Sequence, residues 1–243
     1  MRTYVLVHGA WSGAHSFHLV RPLLAAHGHA VFTPSLTGLG ERAHLTSPQV
    51  SLSTHVSDVV NLVGYEDLHE IVLLGHSYGG MVITGAAGHI AGRIAHLVYL
   101  DAFIPENGQS MDMLVHAPGR DPGTGPGAAW LVPPPDRQYT SSEEAAWATA
   151  RRLPHPVGCF TEPVRIRTPL EQHRFGLTYI KATGDPRSAS AGKPFWEAAD
   201  RAAADPRWRY HEIASNHMVQ HNAPGALADL LLALAAPPEG TRP

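Results

Sequence analysis

Ile71–Met81 reads IVLLGHSYGGM. Ile71–Leu74 is an apolar run of the length expected for a buried strand, and Tyr78–Ile90 is a Gly- and Ala-rich segment that suits a closely packed helix. Between them the chain must turn at Ser77, flanked by Gly75 and Gly79. Glycine on both sides permits a sharp strand-to-helix turn, strained at the serine and crowded at its neighbours. Such a turn lifts the hydroxyl clear of the sheet. It also sets Ser77 at a helix N-terminus, where free N–H groups favour developing negative charge. G-x-S-x-G in this setting has the form of a nucleophile elbow.

The elements on either side define the fold class. Thr3–His8, Ala30–Thr33, Ile71–Leu74, Ile94–Leu100, Leu177–Ala182 and Trp208–Ile213 read as strands. Ser16–His27, Leu52–Val63, Tyr78–Ile90, Ser142–Arg152, Lys193–Ala204 and Ala223–Leu234 read as helices. Strands alternating with helices predict an α/β fold, a mostly parallel sheet covered on both faces. The pattern breaks after the fourth strand, where Pro and Gly are dense (HAPGRDPGTGPGAAWLVPPPDRQ). Residues 105–168 are too poor in apolar periodicity to hold a core of their own, so they are expected to form a small cap inserted into a single domain of residues 1–243.

The 243-residue length suits one domain with a full core. The net charge of −3 gives no sign of nucleic-acid binding. Cys159 is the single cysteine, which excludes an internal disulfide and a CxxC metal site and suggests a buried, inert thiol. The opening MRTYVLVHGA lacks the features of a signal peptide, and no segment reaches the roughly 18 apolar residues of a membrane span. A soluble, cytoplasmic protein with no membrane partner is expected.

A serine hydroxyl needs a base to become a useful nucleophile. Seventeen histidines are available, so position must decide among them. His217 follows the strand Trp208–Ile213 and precedes the last helix, on the sheet edge that carries Ser77; His221 is its close rival. The acid that orients the base should fall between serine and histidine in chain order. Asp185, beyond Leu177–Ala182, is preferred because its strand should neighbour the one leading to His217. Asp101, beyond Ile94–Leu100, is the alternative. An oxyanion needs two donors: the N–H of Tyr78 and, across the close approach that Gly9 allows, the N–H of Ala10.

These features together resemble the α/β-hydrolase family. VLVHGAWSGAHSFHLVRPLLAAHGHAVFTPSLTGLGERAHL, GHSYGG and VYLDAFIPENGQS are similar to bacterial esterase-type members of the branch that also holds plant methylesterases and hydroxynitrile lyases. The likeness covers nearly the whole chain and is weakest over 107–170. It implies Ser77, Asp185 and His217 as the triad, Ala10 and Tyr78 as the oxyanion hole, a small-molecule ester substrate and no cofactor. Hydroxynitrile lyases carry a lysine after the catalytic histidine. Here Met218 stands there, so a leaving cyanide would have no charged partner and an apolar wall beside the base is expected.

Trp11, Phe103, Trp130 and Met218 are the expected substrate contacts, together favouring a largely uncharged ester. No metal site is expected: His211, Glu212 and His217 miss the H-E-x-x-H spacing. GLGERA at Gly38–Ala43 follows the second strand and leads into no good helix start, so it reads as a loop rather than a dinucleotide fingerprint. A carbamate, lactone or amide hydrolase, a natural-product tailoring enzyme or a small-molecule sensor would use the same scaffold.

Overall fold

A six-stranded parallel sheet, its strands lying side by side in the order Ala30–Phe32, Thr3–Val7, Ile71–His76, Ile94–Leu100, Gly176–Ala182 and Trp208–Ile213, forms the centre of the computed structural model, which describes residues 1–116, 129–188 and 192–235. The Pro- and Gly-rich stretch 117–128 of the expected cap and the Pro237-Pro238 stop lie outside the described residues. In chain order the elements are β1 (Thr3–Val7), α1 (Val20–Ala26), β2 (Ala30–Phe32), α2 (Leu52–Tyr65), β3 (Ile71–His76), α3 (Gly79–Ile90) and β4 (Ile94–Leu100). Then follow α4 (Met111–Leu114), β5 (Leu131–Val132), α5 (Ser142–Thr149), β6 (His155–Pro156), α6 (Gly158–Thr161), β7 (Gly176–Ala182), α7 (Lys193–Ala204), β8 (Trp208–Ile213), α8 (Val219–Asn222) and α9 (Pro224–Ala235).

The central strands read as unbroken apolar runs because both faces are covered. Every residue of β3 is buried, whereas the edge strand β8 exposes Arg209 and Glu212. Pairing carries Val5 against Leu73, Leu73 against Leu97, Leu97 against Leu177 and Leu177 against Trp208. On one face Val5, Leu73, Leu97 and Tyr179 pack with Val59 of α2, Val82 of α3 and Phe195 of α7. On the other, Tyr4, Leu6, Leu74 and Val98 pack with Leu24 of α1 and Leu227 and Leu231 of α9.

Two differences from the sequence reading have simple causes. The helix expected over Ser16–His27 divides into a 3₁₀ turn, Ala14–Phe17, and α1. Pro22 is tolerated only in a first turn, since its ring would clash with the carbonyl four residues back, so α1 begins at Val20. The helix α2 begins instead with a reciprocal cap, in which Ser51 and Thr54 each bond the other's backbone. Within the segment between β4 and β7, β5 and β6 pair antiparallel, Leu131 with Pro156 and Val132 with His155. That pair was not visible in sequence, being only two residues per strand.

Candidate active site

Five strands deliver their following residues to one edge of the sheet. Ser77 follows β3 with φ at +55°, a left-handed conformation for a non-glycine residue. The turn holds because its neighbours lack side chains: a Cβ at Gly75 would lie 2.5 Å from the Gly79 carbonyl oxygen, and one at Gly80 2.2 Å from that of Phe103. Trp11 and Asp101, at φ +60° and +41°, share the left-handed conformation at the same edge. Strain concentrated in this way marks functional sites.

The His217 ring lies between Ser77 and Asp101. The Ser77 hydroxyl donates to Nε2 at 3.0 Å, and Nδ1–H donates to Asp101 Oδ2 at 2.7 Å. The Phe195 ring stacks on the imidazole, with centroids 4.6 Å apart and 18° between planes. Asp101, not Asp185, therefore occupies the place expected for the orienting acid. Asp185 accepts from the backbone N–H of His217 at 2.7 Å, so it holds the loop and not the ring. The reason is the backbone at Asp101. Its left-handed turn sends the carboxylate back over β7, where the N–H of Ala182 and the Lys181 ammonium donate to Oδ1 at 3.3 and 2.6 Å. Burial alone would raise the Asp101 pKa, but hydrogen bonds and charge from His217 and Lys181 outweigh it and hold the carboxyl below its ordinary value.

The loop after β1 closes on the serine from the other side. A Cβ at Gly9 would lie 3.0 Å from the Ser77 Cβ. The N–H of Leu36 donates to His8 Nε2 at 3.0 Å, which leaves Nδ1–H to donate to the Gly9 carbonyl at 2.8 Å and fix that loop. Ala10 lines the cavity that contains Ser77. Tyr78 opens α3, and its hydroxyl donates to His55 Nδ1 at 3.0 Å.

The sequence matches the alpha/beta hydrolase family over residues 4–230. The chain belongs to the alpha/beta hydrolase family. A carbendazim hydrolyzing esterase of Nocardioides sp. (strain SG-4G) is 34% identical, with 96% of this chain and 100% of that protein aligned. Methylesterase 2 of Arabidopsis thaliana is 31% identical over 44% of this chain and 41% of its own length. A crystal structure of a methylesterase from Arabidopsis superposes with a TM-score of 0.76 at 21% identity, covering 96% of this chain and 98% of that one. This hydrolase is of the carboxylesterase type.

Of the four expected substrate contacts, Trp11 and Met218 line the Ser77 cavity. Phe103 and Trp130 do not. Phe103 is buried one layer behind, its ring 4.8 Å from that of Phe195, and its main chain packs on Gly80. Trp130 is used through its carbonyl, which accepts from the N–H of Val157 beside the β5–β6 pair. Sequence reasoning missed most of the polar lining: His15, His76, Arg137, Tyr139, Arg152 and Gln220. His76 Nε2–H donates to the His217 carbonyl at 2.9 Å. Its place between Gly75 and Ser77 was the available signal. His221 turns to Glu144, donating from Nδ1 at 2.6 Å, and does not reach Ser77.

Two groups among the described residues have donor atoms close enough for a metal ion. In the first, His55 already donates from Nε2 to Thr37, and burial drives the Cys159 thiol far above its ordinary pKa, so a thiolate there is disfavoured. In the second, His18, Glu144 and His221 join α5 to the body through the His221–Glu144 hydrogen bond. The GLGERA segment runs into a 3₁₀ turn, Gly40–Leu45, whose Arg42 pairs with Asp58 at 2.9 Å. Among the described residues no helix is long and apolar enough to cross a membrane.

The buried histidines make stability depend on pH. Burial lowers the pKa of His8 to about 3 and that of His55 to about 4, and lowers those of His76 and His155 well below the ordinary value of 6.5. Below 6.5 the unfolded chain takes up protons that the folded chain refuses, so stability rises with pH through this range and falls on acidification. Thermal unfolding should show a melting temperature that drops steadily from about pH 6.5 to about pH 4. A flat profile over that interval would contradict the neutral, buried state of these rings.

Proposed function

We propose that Ser77, His217 and Asp101 act as nucleophile, base and orienting acid in the hydrolysis of small carboxylic esters through an acyl-enzyme. The observation that carries this reading is the continuous hydrogen-bonded line Ser77–His217–Asp101, at 3.0 and 2.7 Å. His217 Nε2 takes the hydroxyl proton as Ser77 Oγ attacks the carbonyl. The N–H groups of Ala10 and Tyr78 receive the oxyanion, each such donor typically worth roughly 10²–10³ in rate. The imidazolium, held by Asp101, returns its proton to the leaving alcohol. Water then repeats the cycle on the acyl group. The described residues of 105–168 serve as the cap over this site: Trp11 Nε1–H donates to the Val132 carbonyl at 2.8 Å, and the N–H of Leu153 donates to the Trp11 carbonyl.

Trp11, Ala148 and Met218 give the cavity apolar walls for an alkyl or aromatic group, beside the polar lining. Carbendazim belongs among the substrates to assay, given the full-length relative. Purified protein mixed with p-nitrophenyl esters of increasing acyl length should release a burst of about one equivalent of nitrophenol, followed by steady turnover. Absence of turnover on every chain length and on carbendazim would end the esterase reading.

A further inference from the structure

Lys181 lies within β7, in a strand otherwise suited to burial, with only 1% of its side chain exposed. Its ammonium donates to Asp101 Oδ1 at 2.6 Å and to the Ala182 carbonyl at 2.7 Å, and sits 4.2 Å from the centre of the Trp196 ring. A buried ion pair is poor evidence for stability, because apolar residues of similar volume often serve a core as well or better. What distinguishes this pair is the second oxygen of its carboxylate, which accepts from His217.

We propose that Lys181 is a positioning residue, which pins the Asp101 carboxylate toward His217 and draws off part of its charge so that the imidazole releases its proton at lower pH. The proposal rests on the reading of Ser77, His217 and Asp101 as the hydrolytic triad. It follows from how one carboxylate is divided. With both oxygens free to serve the ring, Asp101 would rotate and would hold a proton on His217 more tightly. With Oδ1 fixed by Lys181 and by the N–H of Ala182, only Oδ2 faces Nδ1, in one orientation.

The other groups around His217 do not substitute for this effect. The His76 ring, tilted against it at 4.7 Å, is kept neutral by burial. Phe195 on the stacked side carries no charge. Asp185 is engaged by the His217 backbone N–H, and His221 by Glu144. Arg137 and Arg152 line the cavity with Ser77 and bond to backbone carbonyls. Lys181 is the cation among the described residues that contacts the orienting carboxylate.

The test is the pH profile of kcat/KM on a p-nitrophenyl ester for Lys181→Met. The acid limb should move to higher pH by about one unit, with a loss of roughly tenfold on the limb and a much smaller loss on the alkaline plateau. A profile lowered throughout but unmoved would show a structural role only and overturn the proposal. If Lys181→Met alone leaves Asp101 too poorly compensated to fold, Asp101→Asn is compared with Asp101→Asn/Lys181→Met, which removes both charges. A lysine that acts through Asp101 has nothing left to act on, so the two should agree within about threefold; a further loss of about tenfold or more overturns the proposal. Ser77→Ala and stoichiometric labelling of Ser77 by an aryl phosphonate are run beside these. Turnover that survives Ser77→Ala would remove the triad reading itself, whereas a labelled serine with an unmoved acid limb would remove the Lys181 role alone.

Discussion

Ser77→Ala should abolish ester turnover, with kcat falling by a factor on the order of 10⁶. Alanine retains the Cβ, so the left-handed backbone at φ +55° is no more strained than before, and the fold should be unchanged by circular dichroism. KM should change little, because the hydroxyl contributes to bond formation and little to ground-state binding. The residual rate, roughly 10³–10⁴ above that in water, would be the share of the oxyanion donors and of positioning. His217→Ala should cost about as much, and the double variant no more than either, since a nucleophile without its base is idle. Steady-state assays against one p-nitrophenyl ester measure all three. A Ser77→Ala variant that keeps more than about one hundredth of wild-type kcat would mean that some other group attacks, or that water attacks directly under His217.

The serine was legible because its constraints are local. Gly75, Gly79 and Gly80 flank a single sharp turn, and each is needed for a close approach of main chain to main chain. An apolar strand ending in that turn leaves little freedom in reading the site. His217 was legible for a related reason: among many histidines only it and His221 follow the last strand, and the ring that meets Ser77 is that of His217. The sheet was legible through its period, and α2, β4, α7 and β8 lie where their apolar spacing puts them.

What the sequence obscured depends on side-chain direction across distant elements. Phe103 and Trp130 have the right chemistry for a pocket, but one packs behind Phe195 and the other is engaged through its carbonyl. Arg137 and Tyr139 reach the cavity from a segment with no regular period to fix their orientation, and Arg152, read in sequence as the end of a helix, lies beyond the end of α5 at Thr149. Lys181 carried a readable signal, a lysine in the middle of a buried parallel strand, because such a charge requires a partner. That partner is the acid now found against His217.

Asp101→Asn should lower kcat by about 10⁴, while Asp185→Asn should cost less than about tenfold. The two carboxylates touch the same histidine in different ways. Asp101 meets the ring at Nδ1, so an asparagine there can no longer both fix the tautomer and stabilise the imidazolium that forms in each half of the cycle. It also leaves the Lys181 ammonium without its counter-charge in a buried site, so thermal stability should fall together with activity. Asp185 meets only the backbone N–H at 2.7 Å, and the carbonyl oxygen of an asparagine can accept that bond as well. Position along the chain favoured Asp185, since β7 does neighbour β8. Position could not show that a left-handed turn at Asp101 swings its carboxylate over β7 to arrive first. Matched kcat measurements on the two variants, with circular dichroism to confirm folding, decide the matter. Collapse of Asp185→Asn with Asp101→Asn nearly intact would mean that the acids exchange places during turnover, and would make Asp101 and Lys181 a pair that serves the fold alone.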